Sequence, residues 1–264
     1  MPSSPPLFDA HNHLQDSRLS DDPQKLIKSL RAAGIRQCVV NGTCEADWEA
    51  VANLARLFPK EIVPSFGLHP WKVGDRSGAW LDVLKTFLAE FPTAGVGEIG
   101  LDRWIENADP DAQEEVFVAQ LRLAKELDRP CTIHCLKAWG QLTSILEMKA
   151  EEKELPRRYL VHSFNGSAET GKQLIKLGAF FSASGYFLKP KKAKQLQILA
   201  DLPQRRLLLE TDAPDMVPPS AYQKLGDSEI NHPADFSLIA PALAKSLGGD
   251  LTKYQENARE FFGQ

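Results

Sequence analysis

Two imidazoles stand two residues apart in His11-Asn12-His13. On an extended strand such residues point to one face, so both rings can share a single metal ion. Neutral imidazole suits zinc, manganese or nickel better than magnesium. The alternative is that one ring caps a backbone carbonyl while the other faces water. A second element, Gly95-Val96-Gly97-Glu98-Ile99-Gly100-Leu101-Asp102, sets Glu98 among small and apolar residues. A carboxylate is costly to bury there unless a cation or donor meets it, and a metal would supply that partner, with an arginine ion pair as the alternative. Asp102, at the far end of the segment, reads as a loop cap or substrate contact rather than a ligand.

Thr132-Ile133-His134-Cys135 and Leu160-Val161-His162-Ser163 each close an apolar run with one histidine. Singly, each fits a hydrogen-bonded core position. On neighbouring strands about 4.8 Å apart, both can converge on one ion. Cys135 points the other way and reads as packing. Leu207-Leu208-Leu209-Glu210-Thr211-Asp212-Ala213-Pro214 ends in Asp212. With the last strand beside the first, Asp212 reaches the ion held by His11 and His13 and can take a proton from water. The competing reading is an N-cap for a helix opened by Pro214. Glu210 shares its face at a deeper level and can orient a ligand.

These residues need strands that end at a common mouth. Apolar, β-branched runs predict strands at 7–14, 37–42, 62–69, 93–101, 130–134, 159–164, 179–185 and 206–212. Segments of helical period lie between them at 24–33, 45–58, 80–91, 111–128, 136–149, 167–177, 192–201 and 234–247, with a last helix at 251–262. Gly34 and Gly178 sit where a helix gives way to a strand through a left-handed residue. The length of 264 residues suits one (β/α)8 barrel, which takes about 250. The fold class is therefore α/β, a single TIM-barrel domain over residues 1–264, with a doubly wound open sheet as the alternative. No G-x-G-x-x-G turn follows the first strand, which lowers the dinucleotide-binding option. Of the 6 histidines, His11, His13, His69, His134 and His162 fall at strand ends, where the pocket of such a barrel is built.

Composition sets the outer limits. With 43% hydrophobic and 25% charged residues the chain is an ordinary globular protein. A net charge of -4 gives no global pull on polyanions, so binding a nucleic acid needs a local patch or a metal. Lys189, Lys191, Lys192 and Lys194 follow the seventh strand and supply one such patch; a solvated helix start is the plainer reading. Cys38, Cys44, Cys131 and Cys135 lack disulfide or zinc-finger spacing and are expected to be buried, reduced thiols. The opening Met1-Pro2-Ser3-Ser4-Pro5-Pro6 has no leader pattern and no segment has a membrane span's run of about 18 apolar residues, so a cytoplasmic protein with no membrane partner is expected.

The set Phe8-Asp9-Ala10-His11-Asn12-His13-Leu14, Gly67-Leu68-His69-Pro70, Gly97-Glu98-Ile99-Gly100-Leu101-Asp102, His134, His162-Ser163-Phe164-Asn165-Gly166, Glu210-Thr211-Asp212-Ala213-Pro214 and Glu256-Asn257-Ala258-Arg259-Glu260-Phe261-Phe262 resembles the TatD family of metal-dependent hydrolases. The resemblance runs through the whole chain in the family's order. It implies a TIM barrel of the amidohydrolase superfamily with two divalent metal ions, zinc, manganese, magnesium or nickel. It assigns His11, His13 and Asp212 to one ion, His134 and His162 to the other, and Glu98 to both. Asp212 and Glu98 are the catalytic positions. His69 and Asn165 fall to the substrate, as do Lys189, Lys191 and Lys192 on charge. Ala10 departs from the family's usual Ser or Thr, and Asn165 from its usual small or polar residue. The implied activity is deoxyribonuclease, hydrolysing phosphodiester bonds of DNA with no obligate protein partner. An amidohydrolase-type hydrolase of a small lactone, amide or phosphoester is the alternative, and a non-catalytic metal-bound binding module is a third.

Overall fold

Runs of apolar and β-branched residues become strands here because they can be buried on both faces, the setting of a parallel sheet covered by helices. The computed structural model describes residues 5–106, 108–224 and 228–264. Its strands are β1 (Leu7–Asn12), β2 (Ile35–Asn41), β3 (Ile62–Phe66), β4 (Gly95–Asp102), β5 (Cys131–Leu136), β6 (Tyr159–Val161), β7 (Phe180–Ser184) and β8 (Leu207–Glu210). Helices α1 (Pro23–Ala32), α2 (Glu45–Leu57), α3 (Trp80–Glu90), α4 (Pro110–Glu126), α5 (Trp139–Glu151), α6 (Ala168–Lys176), α7 (Ala193–Ala200) and α8 (Phe236–Ser246) alternate with them, and α9 (Leu251–Phe262) comes last. The strands form one eight-stranded sheet in chain order. β8 also lies beside β1: the N–H of Asp212 donates to His11 O at 2.9 Å and that of His13 to Ala213 O at 2.8 Å. A parallel sheet whose last strand meets its first is the (β/α)8 barrel predicted from the sequence.

The chain groups into two compact units, Met1–Val40 with Leu54–Val63 and Phe181–Gln264, and Asn41–Asn53 with Pro64–Phe180. In the first, α9 fastens β1 and β8. Phe262 stacks on Phe8 with ring centroids 5.8 Å apart. Gln255 accepts the Phe8 N–H, while Asn257 donates to Gln204 O at 2.8 Å and Leu207 O at 2.9 Å. The helix thereby holds the roots of the two strands that lead to His11, His13 and Asp212.

In the second unit, the pairing of β4 with β5 breaks register between Val96 and Ile99, the stretch that carries Glu98. Close approach around Glu98 demands glycine. A Cβ on Gly67 would sit 2.7 Å from the Glu98 carbonyl oxygen, and one on Gly100, at φ 144°, would sit 2.0 Å from the His134 carbonyl oxygen. Gly67 thus lets the chain past β3 approach β4, and Gly100 lets β4 approach β5.

Several strands stop short of their predicted ends. β1 ends at Asn12, β3 at Phe66, β6 at Val161 and β8 at Glu210. Ser163 at φ 39° and Asp212 at φ 58° have already left extended geometry. His13, His69, His162 and Asp212 therefore stand just past the sheet. β5 instead runs on to Leu136, and the left-handed Lys137 at φ 54° delays α5 from its predicted start at 136 to Trp139. All four cysteines are free, Cys38, Cys131 and Cys135 buried as expected and Cys44 only half-buried; burial pushes the Cys135 thiol up to about 12, so it stays protonated and serves as packing. Among the described residues no helix is long and apolar enough to cross a membrane.

Gly100→Ala and Gly34→Ala should separate these effects. Gly34, at φ 83°, has open space around its Cβ position, so alanine there should cost about 1–2 kcal/mol, the ordinary left-handed penalty. Gly100→Ala adds a clash with the backbone and should cost about 3 kcal/mol or more. Urea denaturation checks this; equal midpoints for the two variants would contradict it.

Candidate metal centre

The first unit brings His11, His13 and Asp212 together. His11 and Asp212 are buried. His11 Nε2 lies 3.3 Å from His13 Nε2 and 3.4 Å from Asp212 Oδ1, and His13 Nε2 is 3.6 Å from the same oxygen. Ligand atoms about 2.0–2.1 Å from one tetrahedral ion lie about 3.3–3.4 Å apart, so this triangle has the dimensions of one ion's coordination face. The backbone beneath is pinned by Asp9, a residue the sequence reading did not single out. Its carboxylate accepts from Thr211 N at 2.9 Å, Thr211 Oγ1 at 2.6 Å and Asn12 Nδ2 at 3.0 Å. Burial pushes the Asp9 carboxyl up to about 6 against the pull of those bonds. Asn231 completes the brace by donating its amide to Thr211 O at 2.7 Å.

The second unit gathers His69, His134 and His162 around Glu98, whose side chain is 3% exposed. A single carboxylate oxygen, Oε1, lies 2.8 Å from His162 Nε2, 3.1 Å from His134 Nδ1 and 3.3 Å from His69 Nε2. His162 Nε2 and His134 Nδ1 are 3.5 Å apart. An imidazole-and-carboxylate donor set at this spacing fits a divalent transition metal. His69 differs from the other two. Its Nδ1 accepts the Trp71 N–H at 3.2 Å, so the neutral ring carries its proton on Nε2 and presents a donor, not a lone pair, to Glu98.

Asp102 has a part that the sequence reading only half anticipated. Its Oδ1 caps the Trp104 N–H at 2.6 Å, as a loop cap should. Its Oδ2 also accepts from His134 Nε2 at 2.8 Å and from Trp71 Nε1 at 2.7 Å. With Nε2 committed to Asp102, His134 turns Nδ1 toward Glu98, the arrangement by which a carboxylate orients a metal-binding imidazole. Burial alone would raise the Asp102 carboxyl, but the bonds from His134, Trp104 and Trp71 hold it below the usual range. Burial would likewise lower the His134 imidazole, and its bonds to Asp102 and Glu98 raise it overall.

The predicted substrate residues lie beyond the strands, Lys191 and Lys192 in the short 3-10 helix Pro190–Lys192. Asn165 is half-buried between β6 and α6. Lys189, Lys192 and Lys191 surround the Tyr186 ring, with Nζ atoms 4.5, 4.9 and 5.8 Å from its centroid. Convergence on an aromatic ring was not visible from the lysine run itself. The β7–β8 register, Ser184 opposite Glu210, puts Tyr186 two residues beyond one strand end and Asp212 two beyond the other.

The shifts of His134 and Asp9 push the stability of the metal-free protein in one direction, against the smaller opposite pull of the half-buried, lowered His232. His134 is raised above 6.5, so the stability it contributes is present below that value and lost as pH climbs through the raised one. Asp9 acts in the same sense, with stability present below 3.8 and lost as pH rises through about 6. In chelator, the urea midpoint should fall from pH 5 to pH 8. Added zinc should lessen or reverse the fall, because the ligands must be deprotonated to bind it. A chelated protein that grows more stable over this range would contradict the assignment.

The TatD related DNase family matches residues 8–263. The 3'-5' ssDNA/RNA exonuclease TatD of Erwinia tasmaniensis is 30% identical over 262 residues, covering 97% of this chain and 99% of its own. The uncharacterized metal-dependent hydrolase YjjV of Escherichia coli K12 is 31% identical over 212 residues, 80% of each chain. The crystal structure of that TatD homolog superimposes with a TM-score of 0.88 over 98% of both chains, at 26% identity. With a family match that spans almost all of its length, on a barrel that gathers histidines and acids into two clusters, the chain belongs to the TatD related DNase family.

Proposed function

We propose that residues 1–264 act as one hydrolase domain that cleaves phosphodiester bonds of single-stranded nucleic acid, trimming DNA or RNA from the 3' end. The observation that carries this reading is the buried Glu98 oxygen with three imidazole nitrogens within 3.3 Å. Each cluster has the donors to hold a divalent ion: His11, His13 and Asp212 would hold one, and His134, His162 and Glu98 the other. Zinc, manganese or nickel suits these donors better than magnesium. When bound, the ions supply Lewis acidity to a phosphoryl oxygen and to the attacking water.

The protein's own residues do the rest. Asp212, with 12% of its side chain exposed against 3% for Glu98, is the carboxylate that water can reach, and it takes the proton of the nucleophile. His69 offers its Nε2–H to the phosphate or the departing oxygen. Lys189, Lys191 and Lys192 neutralise neighbouring phosphates around Tyr186, and Asn165 contacts the strand. The names of the relatives, 3'-5' ssDNA/RNA exonuclease among them, support the substrate and the polarity. Free, mostly buried thiols agree with a reducing, cytoplasmic setting.

Metal-replete protein should shorten a 5'-labelled single-stranded oligonucleotide from its 3' end and lose that activity in chelator, leaving a panel of esters and lactones untouched. Preference for the panel would overturn the reading. Asp212→Asn should lower kcat by about a hundredfold or more while the fold persists; near-wild-type turnover would remove Asp212 as the base. Replacing Lys189, Lys191 and Lys192 together by Gln should weaken oligonucleotide binding and flatten its log–log salt slope by about 2, at about 0.7 per phosphate contact. An unchanged slope would free the lysines of that duty.

A further inference from the structure

We infer that Trp71 and Trp104 form a base-stacking step beside the Glu98 cluster, on which nucleobases next to the scissile phosphodiester rest. This deepens the proposed function and depends on it. The two indoles are 51% and 61% exposed, an uncommon place for the largest apolar side chain.

Neither residue is loose. Trp71 donates its Nε1–H to Asp102 Oδ2 at 2.7 Å, and Trp104 donates its backbone N–H to Asp102 Oδ1 at 2.6 Å. The same carboxylate receives the Nε2–H of His134 at 2.8 Å. One acidic group therefore ties both tryptophan segments to a residue of the cluster. The Trp71 ring stands edge-on to His69 with centroids 5.1 Å apart, and 6.3 Å from His134. Core packing explains neither exposure, and an indole that needed only to satisfy its N–H could do so in water.

The occupant follows from continuity with the cluster. A ligand whose phosphodiester lies at Glu98, His134 and His162 extends its attached groups toward the rim that these loops build. Bases are flat, have π-faces and stack on aromatic side chains in a sequence-tolerant manner. Lys137 places Nζ 6.0 Å from the Trp104 centroid, adding a cation at the edge of the step for a flanking phosphate.

The test compares two single-stranded oligonucleotides of one length, with normal bases or with abasic sugars at the 3'-terminal positions, using metal-loaded full-length protein. Wild type should show a KM at least about fivefold lower for the base-bearing strand, the lower end of what one stacked base contributes. Trp104→Ala keeps the backbone bond to Asp102 and should bring the two KM values within about twofold, with kcat changing less. Trp71→Phe, which retains a ring, should keep more of the preference than Trp71→Leu. Equal KM values in wild type, with both strands cleaved, would overturn the stacking step and leave the phosphodiesterase reading standing. Full preference retained in Trp104→Ala together with Trp71→Leu would also overturn it. Cleavage of neither strand would overturn both.

Discussion

A carboxylate with 3% of its side chain in water is the constraint around which half of this protein is organised. Burying Glu98 as a lone anion would cost several kcal/mol, so its surroundings must supply positive charge or donors. Three histidines from three different strand ends do so within 3.3 Å of one oxygen. Bringing those strand ends so close leaves no room for side chains at Gly67 and Gly100. The glycines, the break in β4 register and the histidine ring orientations are consequences of placing one charge where water does not reach.

Carboxylates outside the ligand set hold that geometry, and they do so in two ways. Asp102 is kept below the usual carboxylate range and faces His134 as a charge partner that selects which ring nitrogen points inward. Asp9 is pushed up to about 6 and works as a hydrogen-bond hub, joining β1 to the Thr211 segment that carries Asp212. The chain thus uses one support held below the usual carboxylate range and one that burial pushes above it. Both lie within two hydrogen bonds of a candidate ligand, so substitutions there act on metal affinity through orientation.

What could be read in advance follows from local geometry. Alternating strand and helix patterns give the barrel, and histidines after apolar runs give the candidate ligands. The His11–His13 pair was legible from strand periodicity, although His13 stands just past β1. Glu98 was legible from the cost of a carboxylate among apolar neighbours. Partnerships between distant segments were not: His134 meets Asp102 from 32 residues away and Thr211 meets Asp9 from 202. No spacing rule encodes those bonds. The exposure of Trp71 and Trp104 and the gathering of lysines on Tyr186 also depend on loop paths, which carry no periodic signal.

The most direct test of this account is metal content in the Glu98→Gln variant, read by equilibrium dialysis and elemental analysis at neutral pH beside the wild-type protein. Glutamine keeps the shape and removes the charge. Wild type should saturate at two ions per chain, and the variant should bind the ion of the Glu98 cluster more weakly, by about tenfold or more. Two ions held at wild-type affinity without the Glu98 charge would contradict the central place given to it.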